Sequence, residues 1–322
     1  MNQSKSNLVA LCIIALFYFC ASLPGRVSAQ QKTNVRVYVI PIIDVAPLYA
    51  AIEQGYFEAE GLTVDTLPGS GGAAGIPGLI GGGYDFVFTN IVSAVQAKSQ
   101  GLDIQIVAPG SDARDASPDV SAIFGRSGDE IKTGASLNGK TVAVNTRNNI
   151  IWLYAREWIS ATGGDLKQVK FREIPFPQMA DAVKGGQVDV AFAVEPFVTM
   201  GVADKSLVPV SYPYAEVQPG MSVAQYVTTG EFIKENPDTV RKFARAIGSG
   251  AEWVNANMGE PAHIDLVARY SKLKPDVIRQ LNAAQAPLKV DVESVQKTID
   301  LMAKHGMLES RIDANTLIHG DQ

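Results

Sequence analysis

Short runs of five or six mostly apolar residues alternate along this chain with longer stretches whose apolar positions recur every three to four residues. The short runs predict strands at 35–40, 62–67, 85–89 and 104–108, and the longer ones helices at 47–54, 72–80 and 91–100. A second series follows, with strands at 141–145, 169–174 and 189–194 and helices at 148–161 and 178–184. Strand-helix-strand alternation predicts an α/β protein with largely parallel sheets. The two series share a junction. Gly82-Gly83-Tyr84-Asp85-Phe86-Val87-Phe88 closes a helix and opens a strand, and Gly185-Gly186-Gln187-Val188-Asp189-Val190-Ala191-Phe192 does the same. Glycines end a helix in the left-handed conformation, and the Asp then leads into an apolar strand. One βαβαβ unit used twice accounts for this better than chance likeness between two Gly-capped units.

The Pro-marked stretches Ser117-Pro118-Asp119 and Tyr212-Pro213-Tyr214 flank the second series. Asn236-Pro237-Asp238 then opens a long helix, 239–255, with further helices and no strand alternation after it. This C-terminal region is expected to pack on the first lobe. The expected organisation is therefore lobe 1 at 30–115 and 223–322, with lobe 2 at 116–222 inserted on two crossings. That is a hinge geometry.

Residues 1–29 change the picture of where the chain works. Lys5, the apolar run 8–21 and the small-residue site Val27-Ser28-Ala29 form a secretory signal pattern. The apolar run is well short of the ~20 residues that span a bilayer, and bulky Phe17-Tyr18-Phe19 before Cys20 argues against a lipid anchor. Export to the periplasm is the expectation. Both cysteines, Cys12 and Cys20, lie in this segment, so the exported chain has no thiol, disulfide or thiolate metal site. His263, His305 and His319 lack ligand spacing, and no cofactor or metal is expected. The formal charge of −5 becomes −7 when Lys5 and Arg26 leave with the signal. With no basic run left, nucleic acid is not an expected partner.

Gly69, Gly71 and Ala74 fit G-x-G-x-x-A after a predicted strand, the pattern of a dinucleotide loop. The fingerprint is defective. No acid follows about 20 residues on to hold a ribose, Pro77 is expected to interrupt the helix, and no G-K-[ST] follows. In parallel α/β sheets, ligands bind beyond the carboxyl ends of the strands. The loops there are 41–46, 69–72, 89–90 and 110–112 in lobe 1, and 145–149, 175–178 and 195–196 in lobe 2. Facing lobes would gather them around one cleft, where residues 69–72 offer backbone N–H groups at a helix N-terminus. A plain tight turn is the other reading of those glycines.

The residues that carry chemistry also carry a resemblance. DVAPLYAAIEQGYFEAEGLTVD, from Asp44 to Asp65, contains A-x-x-x-G-Y-F-x-x-E-G-L. With GGGYDFVFTN, TVAVNTRNNI and GGQVDVAFAVEPF it resembles the periplasmic solute-binding proteins of ABC importers, in the group of nitrate, sulfonate and taurine receptors and thiamine-pyrimidine binding proteins. The resemblance covers most of the chain after residue 29. It implies the type II two-lobe fold, a monomer, a small-molecule solute, and delivery to a membrane permease. An enzyme relative that makes the thiamine pyrimidine relies on a cysteine-rich motif, which is lacking here. No G-x-S-x-G or metal cluster supports an enzyme either. A sensory binding module remains an alternative to an importer receptor.

The candidate ligand residues are Asp44, Ser70, Gly71, Thr89, Asn90, Ser111, Asn145, Arg147, Asn148, Asn149, Gln178 and Glu195. Arg147 can grip a carboxylate or sulfonate with two hydrogen bonds, or stand as a solvated loop arginine. Asn145, Asn148 and Asn149 can cap a helix or donate to the ligand, and Asn90 has the same two readings. Asp44 is read as a cap for the helix opened by Pro47 more than as a contact. Glu195 can accept from an amine or amide, or hold the lobes closed. Phe176, Phe197, Tyr212 and Tyr214 are read as core or hinge residues. Helix N-termini at Gly71 and Asn148, with Arg147, favour a small anionic solute; a pyrimidine or amine-bearing solute is the alternative.

Overall fold

The computed structural model describes residues 32–320; the expected export signal, 1–29, lies outside them. Five strands form a first sheet: β1 (Thr33–Val39), β2 (Leu62–Pro68), β3 (Phe86–Asn90), β4 (Ile104–Asp112) and, far along the chain, β10 (Ser222–Thr229). A second sheet holds β5 (Ser121–Arg126), β6 (Thr141–Val144), β7 (Lys170–Glu173), β8 (Val190–Val194) and β9 (Leu207–Ser211). Their orders, β2-β1-β3-β10-β4 and β7-β6-β8-β5-β9, are the same course run twice. In each, a parallel trio is extended by one antiparallel strand and an edge strand.

The sheets are thus mixed, where the hydrophobic pattern suggested largely parallel ones, and β5, β9 and β10 escaped it. The reason is burial. β5 and β10 are covered on both faces, including Ser222, Gln225 and Thr228, so no alternation marks them. β9 carries Pro209, which suits an edge strand. β4 runs on to Asp112, so Ser111, expected in a loop, is a strand residue paired with Ala224.

The repeated Asp does the same thing in both sheets. The Asp85 carboxylate accepts from the Arg36 amide at 2.7 Å, and the Asp85 amide donates to the Arg36 carbonyl at 2.9 Å. Asp189 accepts from the Thr141 amide at 2.8 Å and donates to the Thr141 carbonyl at 2.9 Å. Each Asp clamps the start of its parallel strand to the neighbouring one.

The helix Gly72–Ile80 has its expected bounds, but Pro77 lies inside it and does not break it. One i→i−4 bond is lost, and the buried Gly75, Ile76 and Leu79 hold the helix on the sheet. Gly72 is required by close approach: a Cβ there would lie 2.5 Å from the Thr89 hydroxyl oxygen. A Cβ on Gly69 would run into the Tyr38 ring. These glycines let the loop close over β1 and β3.

The long helix Pro237–Asn257 packs on the first sheet, where Phe243 stacks on Phe86 with centroids 3.8 Å apart. The chain passes between sheets at 113–120 and 212–221. The two crossings are bonded to each other, with the Ala113 amide donating to Met221 O at 2.8 Å and the Gly220 amide to Arg114 O at 3.2 Å.

Candidate functional site

The cleft between the sheets has a volume of about 380 Å³, within the usual range for small-ligand sites. Its walls come from the carboxyl end of every parallel strand. Ile40 and Ile42 follow β1, Ser70–Ala74 follow β2, and Asn90 ends β3. Opposite them, Asn145 and Thr146 follow β6, Phe176 follows β7, and Val194 ends β8. Phe88, Ile151, Tyr214, Val223 and Ala224 supply more apolar surface. Among the described residues no lysine or arginine lines it.

Asp44 is the one carboxyl among the described residues that does. It sits in a single 3-10 turn, Ile43–Val45, ahead of the helix Ala46–Glu53. That helix is capped at Val45 without a side-chain bond, so Asp44 is not the cap the sequence suggested. Its residue is 4% exposed. Oδ2 accepts from the Ser111 hydroxyl at 2.8 Å, while Oδ1 has no partner in the protein. Burial pushes its pKa up to about 6, against the lowering effect of the Ser111 bond. Leaving such an oxygen unpaired costs roughly 1–3 kcal/mol, and a solute donor would remove that cost. The Tyr214 hydroxyl also lacks a partner, and burial holds its pKa well above the usual 10. Sequence reasoning treated Tyr214 and Phe176 as core or hinge residues. Tyr214 is buried, yet both line the cleft. Their places within the second crossing and just after β7 were the available signal.

Of the expected residues, Asp44, Ser70, Gly71, Asn90, Asn145 and Asn149 come together at the cleft. Asn90 is a helix cap as well, with Oδ1 accepting from the Ser93 amide at 3.0 Å. Asn149 caps the helix Ile150–Ala161 through the Trp152 amide at 3.1 Å, and its Nδ2 donates to Asn145 Oδ1 at 2.9 Å. Thr89 and Ser111 lie fully buried outside the lining, Thr89 against Gly72 and Ser111 against Asp44.

Four residues stand elsewhere. Arg147 is exposed; its guanidinium donates to the Phe171 carbonyl at 2.6 Å and its amide to Glu173 at 2.6 Å. Of its two readings, anion grip or solvated loop arginine, the second fits its place: it is outside the cleft lining, with one guanidinium nitrogen bonded to β7. Asn148 has φ 57° and precedes the cap, so the helix begins two residues later than expected. Gln178 falls in the first turn of the helix Phe176–Lys184, on a separate outer pocket. Glu195 is fully buried beside the cleft. Its carboxylate accepts from the Thr199 amide and hydroxyl at 3.0 and 2.8 Å, and from the Asn282 amide and side chain at 3.2 and 3.3 Å.

Two α/β lobes, joined by two crossings and opening a cleft at their strand ends, are the periplasmic-binding-protein fold. The solved ligand-binding component of an ABC-type import system from Staphylococcus aureus superposes with a TM-score of 0.77 at 16% identity, over 89% of this chain and 97% of that one. More narrowly, the chain belongs to the NMT1/THI5-like family, whose model matches residues 42–260. It is 23% identical to a putative binding protein, YtlA, of Bacillus subtilis, over 96% of this chain and 94% of that protein. It is 28% identical to the riboflavin-binding protein RibY of Chloroflexus aurantiacus, over 76% and 69% respectively. Both relatives are named as binding proteins, one of them putatively, and this chain shares the fold of the import-system component and the NMT1/THI5-like family.

Proposed function

We propose that this chain is an exported receptor that closes lobes 30–115 with 223–322 and 116–222 around a small organic solute. It then presents the solute to an ABC permease as a monomer. Its solute carries a hydrogen-bond-donating edge, as a pyrimidine, an amine-bearing compound or a larger nitrogen heterocycle does. The observation that carries this reading is Asp44, a buried acid whose Oδ1 has no partner in the protein, in the lining of a cleft where no described lysine or arginine stands.

Magnitudes separate this from the anionic solute expected from the sequence. Helix N-termini at Gly71 and Asn149 do border the cleft, and each favours an anion by about 0.3–1 kcal/mol. An ionised Asp44 about 4 Å from that anion would cost roughly 4 kcal/mol. Protonating Asp44 at pH 7 instead would cost about 1.4 kcal/mol. A donor to Asp44 Oδ1 meets neither cost and gains about 1.5–3 kcal/mol as a bond to a charged group. The flat apolar walls, Phe88 and Phe176, suit a ring, and the relative RibY is named for binding a ring compound.

The test is native mass spectrometry of solute carried through purification, followed by titration calorimetry with the solute found. Recovery of a donor-bearing heterocycle whose binding fails in Asp44→Asn supports the reading. Recovery of a sulfonate or carboxylate that binds Asp44→Asn as well as wild type would overturn the solute class. Chemical conversion of the solute would overturn the receptor role itself.

A further inference from the structure

A strap of residues 280–286 leaves the short helix Pro275–Ile278 and runs between the two lobes. One end is pinned to lobe 1, where the Gln285 and Asp112 backbones pair in both directions at 3.0 and 3.1 Å. Ala286 is buried with Ala46, Ala50 and Ala251 of the same lobe. The middle reaches lobe 2, where both nitrogens of Asn282 donate to the Glu195 carboxylate. The Thr199 hydroxyl lies 3.4 Å from the Gln280 carbonyl as a weaker second tie.

Leu281 and Ala284 of the strap pack on the core, with space left beside them. A small cavity of about 30 Å³ and an outer groove of about 520 Å³ lie along residues 281–285. The small cavity is bounded on its far side by Ile43 and Asp44, and Asp44 also lines the solute cleft. Strap, cavity, Asp44 and cleft therefore form one contiguous series.

Glu195 follows β8 directly, next to the cleft residue Val194, and is fully buried with four donors on its two oxygens. Two come from its own lobe and two from the strap. A carboxylate meant only to cap the following helix, Phe197–Val202, would need just the Thr199 pair. The added pair crosses between lobes, so it breaks when they separate.

We propose that Glu195 and Asn282 form an interlobe clasp, positioning residues that hold the strap against lobe 2 in the closed arrangement. They set how long the cleft stays shut and do not touch the solute. The clasp depends on closure, and not on which solute is bound, so it stands or falls apart from the solute class.

The test is electrostatic and needs no solute. At pH 8, Asn282→Asp sets a second carboxylate against Glu195. Small-angle scattering of the purified chain should show a larger radius of gyration. Hydrogen exchange across 280–286 and at the Thr199 amide should be at least about tenfold faster. Adding Glu195→Gln to that variant restores one donor between the two side chains and should return both readouts to wild type. Glu195→Gln alone keeps an acceptor for Thr199 and Asn282 and controls for folding. An unchanged radius and exchange in Asn282→Asp would overturn the clasp. So would a failure of the added Glu195→Gln to rescue, since a cap confined to lobe 2 predicts no such rescue.

Discussion

The two sheets run the same course and use the same Asp clamp, yet they bring different chemistry to the cleft. Lobe 1 contributes a buried carboxyl with a free oxygen, Asp44, and a glycine loop pressed against Tyr38 and Thr89. Lobe 2 contributes amides already bonded to one another, Asn145 and Asn149, with the aromatic walls Phe176 and Tyr214. Its own acid beside the cleft, Glu195, is fully engaged. Duplicated topology sets where loops converge; on the proposed reading, lobe 1 reads the solute through Asp44 and lobe 2 holds the cleft shut through Glu195. Polarity is concentrated where an atom is left unpaired, not where charges are most numerous.

The largest expected effect is at Asp44. Asp44→Asn should weaken a donor-bearing solute by about 100-fold, the equivalent of ~2.7 kcal/mol, in titration calorimetry. The same variant should be more stable than wild type above pH 6. The folded pKa of Asp44, about 6, lies above the ordinary 3.8. The folded state therefore binds the extra proton between those values. The cost of ionising the buried acid is absent below about pH 4, builds as pH rises to 6, and reaches at most ~3 kcal/mol. Thermal melts at pH 4 and pH 8 read it as a gain in the variant's favour only at the higher pH. Binding carries the mirror signature: a donor-bearing solute should lose affinity as pH falls below 6, and an anionic one should gain it.

The clamps come next and test how alike the lobes are. Asp85 also holds the Arg36 guanidinium at 2.7 and 3.1 Å. Asp189 has only longer ion pairs, to Lys140 at 3.6 Å and Arg126 at 3.9 Å. Asp85→Ala should cost about 2–3 kcal/mol of stability and Asp189→Ala about 1, by urea unfolding. Equal costs would mean that the backbone bond alone carries the motif.

Smaller effects separate contact from capping. Tyr214→Phe should weaken binding about three- to tenfold if its hydroxyl meets the solute. Asn149→Ala should lower stability by about 1 kcal/mol as a lost cap. Arg147→Ala should leave solute affinity unchanged, because Arg147 is exposed and outside the cleft lining; a several-fold loss would return the anion grip to consideration.

Much of this protein was legible from local pattern. The parallel strands, the helix Gly72–Ile80, the repeated Asp junctions and the loops at the strand ends all follow from short-range periodicity and glycine caps. So did the convergence of Asp44, Ser70, Gly71, Asn90, Asn145 and Asn149, since strand ends in facing α/β lobes meet. The antiparallel strands β5 and β10 were not legible, because a strand buried on both faces loses its alternation. Nor were the roles of Asp44, Tyr214 and Arg147. Whether a carboxyl is left with a free oxygen, or a guanidinium is already taken, depends on partners 67 and 24 residues away. Those long-range neighbours are chosen by packing, and only the tertiary structure decides them.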